Sequence, residues 1–415
     1  MYKIKYDYKG EIDKYKVRNV VLGYEQRAGA HFSAMETWAP VSNSTAVRML
    51  ITIATALDLE MYQFDCTAAF LQAPIDTTPT AEEIYIKPSP GLEPLDSKGN
   101  PTGQVWRLRM SQYGTVQASR NWFLTIEKWL KDYGFEPVGE EKTIFVKRMN
   151  NEHDISRRSQ RKEGTDRTSQ NQNSKTQFLA LCLYVDDGLC VSSSPELYKK
   201  FISDMKENFD LTDNGDLEWY LGFHVKRDRK NKITSLTQTQ HITNLLKKFG
   251  MNEAKPEATP MPPKTKLRAR KDKCQDSKLI KKYQQLVGGL IYLTTTLRVD
   301  LTHAVNDLAR HMSNPTQEHF DAGLRVLRYL AGTRDMGLTF DGRSGDDHDP
   351  LLLHGFVDAD YAEDKDTRAS TIGFAFMLGG AAVSWKSKLL KVICTSSSES
   401  EYTGACTAAY ARRHR

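Results

Sequence analysis

The stretch 178–191, "FLALCLYVDDGLCV", constrains the fold of this 415-residue chain more than any other feature. Two strongly apolar arms, typical of buried strands, flank the pair Asp186 and Asp187. A chain that buries both arms must turn between them, which places both carboxylates at the tip of a hairpin. Asp187-Gly188 fits a two-residue turn, but that interpretation leaves Asp186 unexplained. Adjacent carboxylates repel each other unless a cation neutralises them, so the pair predicts a metal site.

Asp65 is a third carboxylate in a similar setting, at the end of a β-prone stretch in "LEMYQFDCTAAFLQA". Alone, an aspartate at a strand end is typical of a turn or cap. Three carboxylates together offer the hard oxygen ligands that suit Mg²⁺, with Mn²⁺ as an alternative ion. Two such ions could activate an attacking hydroxyl and hold a leaving pyrophosphate.

Composition indicates a globular protein and leaves its partners open. Lys and Arg (58) exceed Asp and Glu (52) by six, and the runs "RRSQRK" and "KTKLRARKDK" concentrate that positive charge. Such runs are typical either of nucleic-acid contacts or of solvated loops. The six cysteines show no metal-ligand spacing, so reduced thiols are expected and a zinc site is not. Without a long apolar run or a signal-peptide start, we expect an intracellular protein without membrane association.

Hydrophobic periodicity predicts helices in several segments separated by polar breaks. Asn314 is the predicted N-cap of one of them, with Pro315 at its first helical position. Residues 149–177 hold almost nothing to bury and are predicted to be a disordered insertion, and 254–280 a basic linker. The predicted helical segments are 44–61, 121–134, 196–209, 237–251 and 282–332, followed by a strand-rich stretch at 351–390 and a helix from Ser396.

Several motifs in one order resemble copia-type long-terminal-repeat retrotransposon reverse transcriptases. The motifs are "ETWAPVSNSTAVRML", "FDCTAAFLQA", "VWRLRMSQYGTVQASRNWF", "YVDD", "WYLGFHV", "YQQLVGGLIYL" and "GFVDADYAEDKDTRASTIGFAF" with "SSSESEY". This resemblance implies an α+β right-hand polymerase with fingers, palm and thumb, followed by a truncated α/β unit similar to RNase H. Fingers and palm are expected at 1–245, thumb or connection helices at 246–340, and the RNase H-like unit at 351–415.

The resemblance also implies roles for individual residues in an RNA-directed DNA polymerase. Expected partners are an RNA template, a DNA primer, the RNA–DNA hybrid and dNTPs, and the expected location is a cytoplasmic virus-like particle with access to the nucleus. Two Mg²⁺ ions are expected on Asp65, Asp186 and Asp187, of which Asp187 is the more supportive. The expected nucleotide-pocket residues are Arg18, Lys16, Phe70, Tyr113, Gly114 and Gln117, and the expected primer-grip residues are Leu221 and Gly222.

Simpler interpretations of these residues stay open. Phe70 also suits core packing, Arg18 and Lys16 suit surface charges, Gly114 suits a turn, and Leu221-Gly222 suits an ordinary strand.

For the RNase H-like unit, the resemblance implies metal-binding roles for Asp358 and Glu401, with Glu399 as the alternative register. Asp360, Asp364 and Asp366 are expected to serve turns or solvation. The remaining carboxylates of such a nuclease do not occur, so no RNase H activity is expected from this chain by itself.

Departures from the family pattern, together with the truncated RNase H-like unit and its exposed apolar strand edges, support two alternatives. Met110-Ser111-Gln112, Val116 and Ser119 differ from the residues that the family has in its pocket segment. The chain could therefore be an inactive relic that binds nucleic acid without turnover, or a fragment that does not fold stably.

Overall fold

The structure, a computed structural model, describes residues 2–6, 12–29, 32, 37–75, 83–139, 142–149, 177–262, 265, 267–345 and 349–413. The fold is mixed α/β with several separate sheets. The chain divides into two compact units, residues 1–42 with 62–215 and residues 43–61 with 216–415.

A six-stranded sheet forms the centre of the first unit. Its strand order is β10-β3-β9-β8-β7-β6, and the β6–β7, β7–β8 and β8–β9 pairs are antiparallel. The apolar arms that the sequence singled out are β8 and β9, in the interior of this sheet. The strands are β3 (Glu60–Cys66), β6 (Glu136–Val138), β7 (Ile144–Met149), β8 (Gln177–Tyr184), β9 (Asp187–Ser192) and β10 (Leu211–Asp216).

Two helices complete the core of the first unit. Helix α2 (Ala118–Asp132) buries Trp122, Phe123, Ile126 and Leu130. Helix α3 (Pro195–Lys206) begins after Ser194, whose side chain accepts a hydrogen bond from a backbone N–H in the first turn. Two small antiparallel pairs also belong to this unit: β1 (Tyr2–Tyr6) with β2 (Ile12–Val17), and β4 (Tyr85–Ile86) with β5 (Trp106–Arg107).

The second unit combines a four-stranded sheet with a helical cluster. The sheet order is β11-β12-β13-β14, with strands Trp219–Tyr220, Phe223–Asp228, Ile233–Thr237 and Leu338–Asp341. The helices are α1 (Ser44–Ala56), α4 (Thr239–Lys248), α5 (Ser277–Thr296), α6 (Thr302–Ala309) and α7 (Gln317–Gly332).

Helix α1 carries a buried arginine. Arg48 is 4% exposed, and its guanidinium donates to the carbonyl oxygens of Thr296 (2.5 Å) and Val383 (2.8 Å). The Trp385 ring also lies 4.2 Å from the guanidinium carbon. Because every one of these partners lies far along the chain, Arg48 ties α1 to the rest of the second unit.

The predicted N-cap of α7 was wrong. The helix begins at Gln317, and Thr316 is the N-cap, with its side chain accepting from the backbone N–H of His319. His319 Nδ1 accepts in return from the Thr316 N–H at 2.9 Å, which completes a capping box. Asn314 instead accepts from the Cys274 N–H at 2.7 Å. Sequence reasoning missed this because a histidine replaced the usual Glu or Gln of the capping box.

The boundaries of two predicted irregular segments also differ. Helix α5 begins at Ser277, inside the predicted linker 254–280, because the Asp276 carboxylate caps its first turn. Met149 and Gln177, the ends of the predicted insertion, are strand residues of β7 and β8. Residues 150–176, which include the "RRSQRK" run, lie outside the described residues.

A three-stranded antiparallel sheet and a helix end the chain. The sheet order is β15-β16-β17, with strands His354–Ala359, Thr371–Leu378 and Ala381–Leu389, and α8 spans Ser397–Arg413. Five cysteines are buried free thiols and Cys406 is an exposed one. In the part of the chain that the structure describes, no helix has the length and apolar character needed to cross a membrane.

Candidate active site

The turn of the β8–β9 hairpin consists of Val185 and Asp186. Tyr184 pairs with Asp187 across the two strands, so Asp187-Gly188 lies within β9 and does not form the turn. Only the first turn residue has a positive φ, 60° at Val185, as in a type II′ turn. That position favours glycine, and a β-branched residue held there stores strain of about 1–3 kcal/mol.

Gly188 is required because an aromatic ring lies over it. A Cβ at this position would lie 2.2 Å from Cζ of Phe64, which is buried in β3. Phe64 directly precedes Asp65 in the chain. The packing of this ring on the hairpin therefore brings the end of β3, and with it Asp65, to the hairpin tip.

Two hydrogen bonds hold the strained turn in place. The indole Nε1–H of Trp122, on α2, donates to the carbonyl oxygen of Val185 at 2.7 Å. The backbone N–H of Cys66 donates to the carbonyl oxygen of Asp186 at 2.8 Å. Both carbonyls of the turn are thus fixed from the neighbouring helix and strand, which keeps the carboxylates oriented while the backbone stays strained.

The charges of the three candidate carboxylates all act on one buried thiol. Burial raises the pKa of Cys66 most, and the negative charges of Asp65, Asp186 and Asp187 each raise this pKa further. The thiol is therefore neutral. Among the described residues, no group of three or more His, Cys, Asp or Glu side chains lies in an arrangement that could hold a metal ion.

The donor chemistry of this group nevertheless suits magnesium. Mg²⁺ is held by one or two carboxylates, with water and substrate phosphates as its other ligands, and does not need an all-protein cage. The hairpin tip and the end of β3 supply carboxylate oxygens of this kind. Asp65, Asp186 and Asp187 therefore fit the ions that the sequence predicts.

A cationic and aromatic surface lies beside the carboxylates. The guanidinium carbon of Arg18 lies 4.5 Å from the centre of the Tyr113 ring, and the Phe70 ring lies 5.0 Å from the same ring. Burial raises the pKa of Tyr113, Arg18 opposes that rise, and Asp186 and Asp65 add to it. The structure therefore brings together three of the predicted pocket residues and two of the predicted metal ligands.

Gly114 and Gln117 fasten the pocket loop to residues 18–26. Gly114 has φ = 92°, and a Cβ there would lie 2.0 Å from the carbonyl oxygen of Val21. The Gln26 side chain donates to Oε1 of Gln117 at 3.1 Å and accepts from the Val116 N–H at 2.8 Å. Gly114 is thus needed for a close backbone approach, and Gln117 contacts protein through Gln26.

Residues that depart from the family pattern have partners in this loop. Gln112 Nε2 donates to the carbonyl oxygen of Asn19 at 3.0 Å. Buried Ser111 accepts from the side chain of Asn121 at 3.0 Å. These substitutions are therefore accommodated by hydrogen bonds. Lys16 is a residue of β2, but its side chain lies outside the described part of the chain.

Leu221 and Gly222 form the hairpin turn between β11 and β12 in the second unit. Tyr220 pairs with Phe223, and the two turn residues have φ values of 46° and 78°. Two positive φ values define a type I′ turn, which makes a tight hairpin tip. The interpretation of these residues as an ordinary strand was therefore wrong.

Asp358 lies on strand β15 of the last sheet, and Glu401 lies on helix α8. A Cβ at Gly404 of α8 would lie 3.4 Å from Val357 and 3.8 Å from Ala359, so these strand residues face the helix. Because side chains alternate along a strand, Asp358 faces the opposite side of the sheet. There it lines a pocket of about 410 Å³ together with Thr302, His303, Thr371 and Lys386. No described contact joins Asp358 to the exposed Glu401.

The nearby carboxylates make local structural contacts. Glu399 accepts from the backbone N–H (2.6 Å) and hydroxyl (2.8 Å) of Thr395 at the start of α8. Asp360 accepts from the N–H of Thr371. Asp364 accepts from Thr367 and pairs with Arg310, and these contacts hold its pKa below the usual value although burial opposes them. Asp366 accepts from the Ala269 N–H at 2.7 Å.

Sequence reasoning missed two residues that support the site. Trp122 was assigned only to a helix, and Gln26 was not singled out. A tryptophan on a buried helix face needs a partner for its N–H, and this rule pointed to a polar contact for Trp122. No comparable signal was available for Gln26, because its partner depends on the tertiary fold.

Comparisons with known proteins identify the family. The profile of the family described as reverse transcriptase (RNA-dependent DNA polymerase) matches residues 1–156 and 167–263. The chain therefore belongs to the reverse transcriptase family. Within that family, its relatives include Pol polyproteins of copia-type transposons.

Three relatives show the range of similarity. The retrovirus-related Pol polyprotein from transposon TNT 1-94 of Nicotiana tabacum is 33% identical over 98% of this chain and 28% of the relative. The corresponding polyprotein from transposon RE1 of Arabidopsis thaliana is 33% identical over 96% of this chain and 24% of the relative. A transposon Ty5-1 protein of Saccharomyces cerevisiae is 31% identical over 82% of this chain and 97% of the relative. The chain thus spans about a quarter of the two plant polyproteins.

Proposed function

We propose that this chain is the RNA-directed DNA polymerase portion of a copia-like retrotransposon Pol protein. It would extend a primer 3′-hydroxyl with dNTPs on an RNA template. In this proposal, fingers and palm occupy 1–245, thumb or connection helices occupy 246–340, and an RNase H-like unit occupies 351–415.

The observation that carries the proposal is the connection between the end of β3 and the hairpin tip: the N–H of Cys66, next to Asp65, donates to the carbonyl oxygen of Asp186 at 2.8 Å. Three further features support this connection: the positive φ of Val185, the Phe64–Gly188 contact and the Trp122 hydrogen bond to the carbonyl oxygen of Val185.

The three carboxylates would hold two Mg²⁺ ions. Bound there, the ions would supply activation of the primer hydroxyl and stabilisation of the leaving pyrophosphate. Arg18 would bind triphosphate oxygens, because a guanidinium makes bidentate contacts with phosphate. Stacking of that guanidinium on Tyr113 pre-orients it, which lowers the entropy lost when the nucleotide binds.

We do not assign nuclease activity to residues 351–415. Asp358 projects away from the sheet face that α8 covers, and Glu399 is used at the start of the helix. The Asp358–Glu401 pair that a two-metal nuclease would need therefore lacks support.

Primer extension tests the proposal. The purified chain would be incubated with a labelled DNA primer on an RNA template, dNTPs and Mg²⁺, and product lengths would be read on a gel. We expect extension that stops when EDTA removes the metal and returns when Mg²⁺ or Mn²⁺ is restored.

Hybrid binding, measured by fluorescence anisotropy, separates the alternatives. Binding that weakens steeply with salt but gives no extension would favour the relic, because phosphate contacts release counterions. Aggregation or rapid proteolysis of the purified chain would favour the unstable fragment. Extension that persists in EDTA would contradict the metal assignment.

Phe70 is expected to exclude ribonucleotides. Its ring packs beside Tyr113, next to the carboxylates, where the sugar of an incoming nucleotide would lie. Phe70→Val should raise the ratio of rNTP to dNTP incorporation by about tenfold or more, because opening a steric pocket changes discrimination by about 1–3 kcal/mol. Single-nucleotide kcat/KM values for matched rNTP and dNTP pairs measure this ratio.

Leu71→Val is the matched control. Leu71 is the next residue of the same turn and is 40% exposed, so its shortening should leave the ratio unchanged. Phe70 also packs partly against the core, so both variants need thermal melts. An unchanged rNTP/dNTP ratio in a folded Phe70→Val variant would show that Phe70 acts only in packing.

A further inference from the structure

Helix α5 fastens the turn between β11 and β12 through one tyrosine. The hydroxyl of Tyr292 donates to the carbonyl oxygen of Leu221 at 2.7 Å. Leu221 has φ = 46°, a conformation that side chains disfavour, so the turn needs an external contact to hold it. The Tyr292 hydroxyl supplies that contact from a helix that follows about 70 residues later in the chain.

The same hydroxyl occupies the space where a side chain of Gly222 would lie. A Cβ at Gly222 would be 2.3 Å from the Tyr292 hydroxyl oxygen and 3.5 Å from the ring carbon that carries it. The close approach is therefore to the hydroxyl alone. Gly222 is required both by its φ of 78° and by this oxygen.

The position of the Tyr292 ring is itself constrained. The ring of His241, on α4, lies 4.7 Å from it at an angle of 58°. The outer side of the turn is open: Gly222 is exposed and Trp219 is 51% exposed, with its ring 4.8 Å from His224. One side of the turn is thus held by α5, and the other is available to a ligand.

We infer that Tyr292 is a positioning residue for primer extension, because it fixes the Leu221–Gly222 turn against which the primer end is aligned. The inference rests on the proposed function, and it adds a residue that touches neither nucleotide nor metal. The turn would bind the primer backbone, and the hydroxyl of Tyr292 would determine where that turn stands.

Tyr292→Phe tests the hydroxyl. The variant keeps the ring and loses the hydrogen bond, so the rate of primer extension at saturating dNTP should fall about fivefold, which corresponds to about 1 kcal/mol. The KM for dNTP should stay unchanged, because the nucleotide pocket is built from other residues. The readout is single-turnover extension, expressed per folded molecule.

Tyr283→Phe is the matched control. Tyr283 lies on the same helix, and its hydroxyl donates to a backbone carbonyl, that of Leu308, at the same 2.7 Å. That bond lies within the helical cluster and does not involve the turn. Both variants should lose similar stability, but only Tyr292→Phe should slow extension. Equal slowing in both would show that Tyr292 acts through stability alone and would overturn the inference.

A double variant makes the test sharper. Gly222→Ala should slow extension about 30-fold, because the new methyl adds backbone strain and overlaps the Tyr292 hydroxyl. Adding Tyr292→Phe removes the overlap, so the double variant should be at least about threefold faster than Gly222→Ala alone. If the two losses simply multiply, the hydroxyl does not set the position of the turn.

Failure of the proposed function gives a different result. If the unmodified chain binds hybrid but never extends it, the polymerase proposal fails, and the same comparison is made on the Kd for hybrid. A fivefold weaker Kd confined to Tyr292→Phe then supports its role in positioning the turn for the nucleic acid. Equal Kd values for both tyrosine variants, or no binding by the unmodified chain, would overturn the inference about Tyr292.

Discussion

Asp186→Asn should reduce primer extension by about a thousandfold or more while leaving the protein folded. A thousandfold loss corresponds to about 4 kcal/mol, which is the scale of transition-state stabilisation expected from metal-bound charge. The amide has the same shape as the carboxylate, and the turn is held through the backbone carbonyls of Val185 and Asp186, so the hairpin should keep its geometry. Single-turnover extension with Mg²⁺ measures the loss.

Thermal melting separates loss of chemistry from loss of folding. Removing one of three neighbouring negative charges relieves repulsion, so the Tm of Asp186→Asn should equal or exceed that of the unmodified chain. Asp132→Asn, at the exposed end of α2, is the matched control and should keep full activity. Asp187→Asn should lose less activity than Asp186→Asn, in line with its more supportive role. More than a tenth of normal activity in Asp186→Asn would contradict the metal assignment.

Asp300→Ala should lower the free energy of unfolding of the second unit by about 3 kcal/mol. Arg298 is 1% exposed, and its guanidinium donates to both carboxylate oxygens of Asp300, at 2.9 and 2.7 Å. The Tyr329 hydroxyl donates to the same carboxylate at 2.9 Å. Removing the carboxylate leaves a buried cation without its counter-charge, and breaking such pairs costs about 3–5 kcal/mol. Asp300 is partly exposed, so we expect a loss at the lower end of this energy range.

Urea unfolding with two comparison variants checks this value. Glu83→Ala removes the carboxylate of an exposed pair with Arg107, whose side chains are 51% and 49% exposed, and should cost less than about 1 kcal/mol. Arg298→Leu combined with Asp300→Leu removes both charges and should recover part of the loss. If Asp300→Ala costs no more than Glu83→Ala, the pair contributes little to the fold.

The sequence predicted that the aspartate pair lies at a hairpin tip, but it did not predict the contacts that support that tip. The carboxylates of the hairpin could be found because two apolar strands that flank two aspartates can both be buried only if the chain turns at the aspartates. Which two residues form the turn could not be found, because Asp187-Gly188 satisfies the local rule equally well. The contact that decides it, Phe64 on Gly188, joins strands that are distant in the chain.

The same limit applies to the helix cap and to the buried pair. Asn314-Pro315 is a good local signal for a helix start, but Asn314 is occupied by the backbone of Cys274. The buried pair of Arg298 and Asp300 could not be found in the sequence, because the guanidinium is buried against Thr333 and Tyr329, which lie farther along the chain. Local rules therefore predicted elements and residue types, while long-range contacts decided which residue filled each role.

The burial of Arg48 has a consequence for synthesis on the ribosome. Its guanidinium is satisfied by carbonyls at positions 296 and 383, so α1 cannot reach its final environment until residue 383 has emerged. Until the ribosome has added the 335 residues from Arg48 to Val383, the amphipathic surface of helix α1 stays exposed. A shortened chain that ends before Val383 would leave that surface uncovered and would be a ready substrate for chaperones and proteases.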